Sequence, residues 1–227
     1  MAGAVEAAGG RTPARLQLAD RGAYERRPAH GVYALFAVAL VVLCSIAADG
    51  ESVSALEEDV FRAIQDLPDF LKPLFWPAMQ FGNLVMAFVA TAAALIARRW
   101  RLGSAFLLLA AGKLYFGRLV KENVTRHRPD EILENVVLRD SFGGGLAFVS
   151  GHAVIAFGIA TLAHPYLGRR WRIAVWTLAA LASFGRIYVG AHLPLDVVGG
   201  AALGIALALV IGLITGVPRP EETGPAT

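Results

Sequence analysis

Six apolar runs, each close to the length of a bilayer crossing, alternate with clusters of arginine along this chain. They fall at 31–48, 74–97, 102–120, 146–168, 173–189 and 196–217, and a membrane-spanning helix needs about 20 largely apolar residues. Composition agrees with the pattern. Of 227 residues 56% are hydrophobic and only 17% charged, where an ordinary soluble domain carries roughly 25% charged. The mean hydropathy of +0.55 leads the same way. A water-soluble globule and a disordered chain are excluded, and the reading is all-α: a polytopic membrane protein of six transmembrane helices in a bundle. Lys113, Arg118, His152, His164 and Arg186 fall within the third, fourth and fifth runs. Lipid rarely tolerates such side chains, so these face protein or an aqueous mouth.

Orientation follows from the arginines. Arg11, Arg15, Arg21, Arg26 and Arg27 precede the first run; Arg98, Arg99 and Arg101 fill the second connection; Arg169, Arg170 and Arg172 fill the fourth. With six spans all lie on one side, which the positive-inside rule makes cytoplasmic together with both termini. The other side carries the acid-rich connection 49–72, the connection 122–145 and the turn near 190–195. Within the first of these, Val53, Leu56, Val60, Phe61, Ile64 and Leu67 recur at near-helical spacing. They mark an external amphipathic helix over 53–71, either a plain linker or a gate for lipid entry. Residues 1–30 and 218–227 read as mobile cytoplasmic tails around a membrane body, 31–217. Ser45-Ile46-Ala47 resembles a signal-peptidase site, but the apolar run before it is long for a signal core, so an uncleaved first span is expected. The single cysteine, Cys44, lies in that run and reads as a small buried hydrophobe. The net charge of +3 is dispersed over membrane-side loops and does not form a nucleic-acid-binding face.

Three clusters far apart in sequence each fall at an external boundary. The first is Lys121-Glu-Asn-Val-Thr-Arg126-His127-Arg128-Pro129. If the third helix continues past Lys121, a spacing of seven sets Lys121 and Arg128 on one face, two cations suited to a phosphate. Arg126 and His127 default to solvated loop positions. The second, Val149-Ser150-Gly151-His152, follows a run of three glycines. Ser150 suits a helix N-cap, and Gly151 lets an anion approach the unpaired N–H groups of the first turn. The third is Gly185-Arg186, five residues, His192, then Pro194 and Asp196. Pro194 suits the first helical position, which puts Asp196 in the first turn with His192 just before it. There the carboxylate can fix one imidazole nitrogen and leave the other as nucleophile or base. Such an inventory serves phosphoryl transfer through histidine. The external acids lie mainly in the 49–72 connection and supply no carboxylate-rich magnesium site at the clusters, so neither metal nor cofactor is expected.

The same residues resemble the type 2 phosphatidic acid phosphatase superfamily of integral-membrane lipid phosphatases. Its pattern is Lys-x6-Arg-Pro, Pro-Ser-Gly-His, then Ser-Arg-x5-His-x3-Asp. All three blocks occur in order, with Val149 for the proline and Gly185 for the serine. The resemblance implies that His192 attacks phosphorus, Asp196 orients its ring and His152 protonates the leaving group. It also implies that Lys121, Arg128 and Arg186 hold the phosphoryl oxygens with Ser150 and the Gly151 backbone. Gly185 would then lack one hydroxyl contact to phosphate.

Other positions are open to two readings. Lys113 and Arg118 can snorkel or pair internally, or else reach a second phosphate. His164 is on the opposite side and should be structural. Gly200 and Gly204 form a small-x3-small pattern for packing within the chain. The expected activity is hydrolysis of a lipid phosphate or diphosphate at the outer face of the plasma membrane, with polyprenyl diphosphate favoured. Phosphatidate, phosphatidylglycerol phosphate and a polyprenyl-linked sugar phosphate stay open. The rival is a noncatalytic protein that binds or moves anionic lipids.

Overall fold

The computed structural model describes residues 24–50, 52–141 and 145–219. A long helix, α1 (Pro28–Ala48), opens the bundle with Pro28 in its first turn, and α2 (Ala55–Gln65) follows. Then come a 3-10 turn at Asp69–Leu71, α3 (Lys72–Gln80), α4 (Leu84–Ile96), α5 (Trp100–Asn123) and a single turn, α6 (Pro129–Ile132). The chain closes with α7 (Gly151–Ala163), α8 (Arg169–Tyr188) and α9 (Pro194–Thr215). A two-residue strand before α1, β1 (Tyr24–Glu25), pairs antiparallel with β2 (Val217–Pro218) after α9, so the start of α1 and the end of α9 meet at one end of the bundle. The tail expected over 1–30 lies outside the described residues as far as 23, and its last residues enter this ribbon and α1.

α7 and α9 run side by side in the same direction at the centre. Their contact is nearly backbone to backbone: a Cβ on Gly200 would sit 2.6 Å from the Ser150 carbonyl oxygen, and one on Gly204 2.3 Å from that of Val154. In lipid, where burying apolar groups gains little, such close packing is what holds helices together. The expected internal packing of Gly200 and Gly204 is therefore observed. α1 and α5 run antiparallel to this pair, with Cys44 buried where α1 meets Gly199. Outward faces stay apolar, as lipid demands: Leu35, Phe36, Ile46, Ile96 and Trp171 are all largely exposed.

α1, α5 and α9 are each long and apolar enough to cross a membrane. The run expected as one helix over 74–97 is instead broken. α3 and α4 meet at 51°, with Gly82 in the gap and Asn83 capping α4 through the Val85 N–H at 3.1 Å. The reason is local: an Asn N-cap outcompetes continuation, and a Cβ on Gly82 would strike the His152 backbone at 2.7 Å. The run over 146–168 likewise yields a helix only from Gly151 to Ala163. The amphipathic helix is also shorter than 53–71, because Pro68 ends the run and leaves α2 at Gln65. α2 is fixed to the bundle: Arg139 donates to the Gln65 and Leu67 carbonyls at 2.8 and 3.1 Å and to that of Tyr188 at 2.9 Å.

Candidate functional site

The three sequence clusters converge where α7 and α9 begin and α5 and α8 end. Lys121, in the last turn of α5, donates its ammonium to the Leu146 carbonyl. α5 then stops at Asn123, and Val124 is extended (φ −127°, ψ 112°), so Lys121 and Arg128 do not share a helical face as their spacing suggested. Arg128 precedes Pro129 and donates Nη1 to the Ala191 carbonyl at 3.0 Å, which binds the first cluster to the residue before His192. Backbone bonds tie the rest. Ser150 N–H donates to the Asp196 carbonyl at 2.9 Å, and the Ala191 and His192 N–H groups donate to that of Arg186 at 3.0 and 3.3 Å.

Pro194 is the first residue of α9, Leu193 its N-cap and Asp196 its third residue, as expected. Asp196 is fully buried; its Oδ2 accepts the Leu193 N–H at 2.9 Å and faces His192 Nδ1 at 3.4 Å. That last distance is long for a hydrogen bond, as catalytic contacts without substrate often are. Burial pushes the His192 ring down to about 4 from 6.5; Asp196 pulls it upward, and Arg186 and Lys121 lower it further. The ring is therefore neutral at ordinary pH, the form that has a free electron pair on nitrogen. Ser150 occupies the N-cap position of α7, yet its hydroxyl caps nothing. Its Oγ is buried without a hydrogen-bond partner among the described residues, beside N–H groups that a first helical turn leaves unpaired. A buried orphan of this kind costs about 1–3 kcal/mol, and an anion at the helix start would satisfy it. His152 is the second residue of the same helix, within electrostatic reach of Arg186, His192 and Lys113.

Arg126 overturns its assignment as a solvated loop residue. Its side chain is fully buried, and it forms ion pairs with Glu57 at 2.7 Å and Asp196 at 3.2 Å. Glu57, on α2, also accepts the Leu195 N–H at 3.0 Å. Neither residue was anticipated at the site. The available signal was Glu57 itself, which stands four residues before Phe61 on the buried stripe of α2, where an unpaired acid would be costly. His127 is solvated as expected and pairs with Glu131 at 2.8 Å. Arg118 pairs on the outside with Glu122 at 2.7 Å, whereas Lys113 turns inward toward Gly151. Gly185 faces α3: a Cβ there would meet Met79 Cγ at 2.8 Å, so α3 fills the space a serine would enter. His164, at the far end, accepts the Trp176 indole N–H at 3.1 Å. Among the described residues no three metal-binding side chains converge.

Comparison with known proteins covers the same region. The sequence pattern of the PAP2 superfamily matches residues 100–217. An undecaprenyl-diphosphatase of Sulfolobus acidocaldarius is 28% identical over 148 residues, 64% of this chain and 68% of that protein. The crystal structure of Aquifex aeolicus LpxE superposes with a TM-score of 0.65 at 26% identity, covering 70% of this chain and 95% of that one. A transmembrane PAP2-type phosphatidylglycerolphosphate phosphatase from Bacillus subtilis gives a TM-score of 0.66 at 21% identity over 79% of this chain and 94% of that one, a likeness of fold.

Proposed function

Because this chain belongs to the PAP2 superfamily of membrane lipid phosphatases, we propose that it releases phosphate from a lipid phosphate through a phosphohistidine on His192. The observation that carries this reading is the buried line Glu57–Arg126–Asp196–His192 beside the orphan hydroxyl of Ser150. Asp196 holds Nδ1, and Nε2 forms the bond to phosphorus while the bond to the leaving oxygen breaks. The electron pair stays on that oxygen and His152, protonated once the phosphate sits beside it, supplies the proton. Lys121, Arg128, Arg186, Ser150 and the Gly151 N–H hold the equatorial oxygens. A water deprotonated by His152 then attacks the phosphohistidine and frees phosphate. The scheme uses no metal: both buried carboxylates are ion-paired to Arg126.

The favoured substrate is a polyprenyl diphosphate, a choice supported by the undecaprenyl-diphosphatase relative. The body, 31–217, is read as six spans, formed by α1, the bent pair α3–α4, α5, α7, α8 and α9. An even number agrees with the β1–β2 ribbon, which joins the two ends of the body. Arginines at the ribbon end make it cytoplasmic, so both tails lie inside and the site opens on the outer face of the plasma membrane.

Phosphate release by detergent-purified protein tests the reading, with excess EDTA and with polyprenyl diphosphate, phosphatidate and phosphatidylglycerol phosphate as substrates. Wild type is expected to release phosphate, fastest from the diphosphate, and folded His192→Ala none. Equal release by the two proteins would remove His192 from the mechanism.

A further inference from the structure

Lys113 is a charged neighbour of the site to which the proposed mechanism gives no task. It sits eight residues before Lys121 on α5, half-buried, and forms no hydrogen bond or ion pair among the described residues. A methyl group placed on Gly151 would lie 3.0 Å from Lys113 Cε and 3.4 Å from Nζ, so the ammonium rests against the first residue of α7. The missing side chain of Gly151 is what admits it.

An ammonium in this position is opposed three times. It is partly withdrawn from water within a membrane helix, where an unpaired charge is costly. It faces a helix N-terminus, the positive end of the macrodipole. Its charge also reaches His152 and Lys121, both of the same sign when protonated. A bound anion relieves all three. The transferred phosphoryl group already has Lys121, Arg128 and Arg186, so the anion that suits Lys113 is a different one.

Its place is set by the direction of the reaction. Lys113 rests against Gly151, the residue before His152, whereas His192 faces Asp196. In an in-line displacement the nucleophile and the leaving oxygen lie on opposite sides of phosphorus, and whatever neighbours the general acid neighbours the leaving group.

We propose that Lys113, where it rests against the first turn of α7, forms a subsite for the second, non-transferred phosphate of a lipid diphosphate. The proposal rests on the reading of His192 as nucleophile. As Nε2 bonds to the terminal phosphorus, the bond from that phosphorus to the bridging oxygen breaks and the oxygen keeps the electron pair. His152 protonates it, and the departing lipid monophosphate is held as an anion by Lys113. With a lipid monophosphate as substrate the same step releases an uncharged alcohol, and Lys113 has nothing to hold. Arg118 offers no substitute, since its side chain is 81% exposed and paired with Glu122.

The test compares two substrates that share one tail, farnesyl diphosphate and farnesyl monophosphate, on purified wild type, Lys113→Met and His192→Ala. Loss of one charged hydrogen bond to the second phosphate should lower the diphosphate-to-monophosphate ratio of kcat/KM about 10- to 100-fold in Lys113→Met. The monophosphate rate reports that the variant is folded. A ratio unchanged in Lys113→Met, whether both rates fall or neither does, overturns the subsite and leaves the phosphatase reading standing. Release from neither lipid by wild type, or equal release by His192→Ala, overturns that reading and the subsite with it.

Discussion

Arginines and histidines gather at both ends of the α7–α9 pair, and the two gatherings differ in which helix ends they meet. At the ribbon end α7 and α9 terminate, presenting carbonyl oxygens. Arg26 donates to Leu213 at 2.9 Å, Arg101 to Thr215 at 3.3 Å and Arg172 to His164 at 3.0 Å. These arginines are occupied as C-terminal caps. A cavity of about 590 Å³ lies at this end, with Arg27, Arg172, His30, His164 and Trp176 on its wall and no acid in its lining among the described residues. At the motif end α7 and α9 begin: the first turn of α7 has no side-chain cap, whereas the Leu193 and Leu195 N–H groups at the start of α9 are taken by Asp196 and Glu57. There Arg126 meets two buried carboxylates, and one of these faces a histidine. Cations and imidazoles are common to both ends. What sets the motif end apart is the uncapped N-terminus of α7, which suits an anion, and a carboxylate that faces a ring.

The comparison can be broken most sharply at its histidines. His192→Ala should abolish phosphate release, by at least about 1,000-fold, while His164→Ala stays within about twofold of wild type. Comparable losses in both variants would erase the distinction between the ends. His152→Asn should cost about 100- to 10,000-fold on a lipid phosphate. On an activated aryl phosphate, whose leaving group needs no proton, the loss should be far smaller, and an equal loss on both would deny His152 its role as acid. Arg126→Met strands two buried carboxylates and should cost about 3–5 kcal/mol in thermal or denaturant unfolding. Arg101→Met, at the other end, removes a partly solvated cap and should cost about 1 kcal/mol or less. The gentlest probe is pH. In histidine-labelled protein read by NMR, the ring absent from the His192→Ala spectrum should titrate near 4. It is neutral above that value and protonated below it. Asp196→Asn removes the upward pull and should move the midpoint lower; a midpoint at 6.5 in wild type would mean the ring is solvated.

Much of this site was legible because chemistry and spacing coincide. Pro194 fixes where α9 begins, and Asp196 and His192 follow from it by helix geometry alone. Ser150 was likewise placed correctly at the start of α7. The sequence could not show that its hydroxyl is left unpaired, since that depends on α9 packing within one backbone of it. The Lys121–Arg128 spacing misled for a similar reason: a separation of seven suits a helix, but Val124 leaves the helix and the two cations are brought together through Leu146 and Ala191. Arg126 and Glu57 were obscured because each has an ordinary exposed role, and only their contact, across a sequence separation that no local pattern spans, makes both buried. The break between α3 and α4 carried its sign in Gly82-Asn83, which a count of apolar residues passes over.

The most direct test of the central claim is to capture the intermediate. Wild type mixed with a terminally ³²P-labelled polyprenyl diphosphate and quenched in alkali within milliseconds should retain label on protein as an acid-labile, alkali-stable phosphoamidate. Peptide mapping should locate it at His192, and Asp196→Asn should accumulate less of it. Rapid phosphate release with no label at His192 at any quench time would contradict the account.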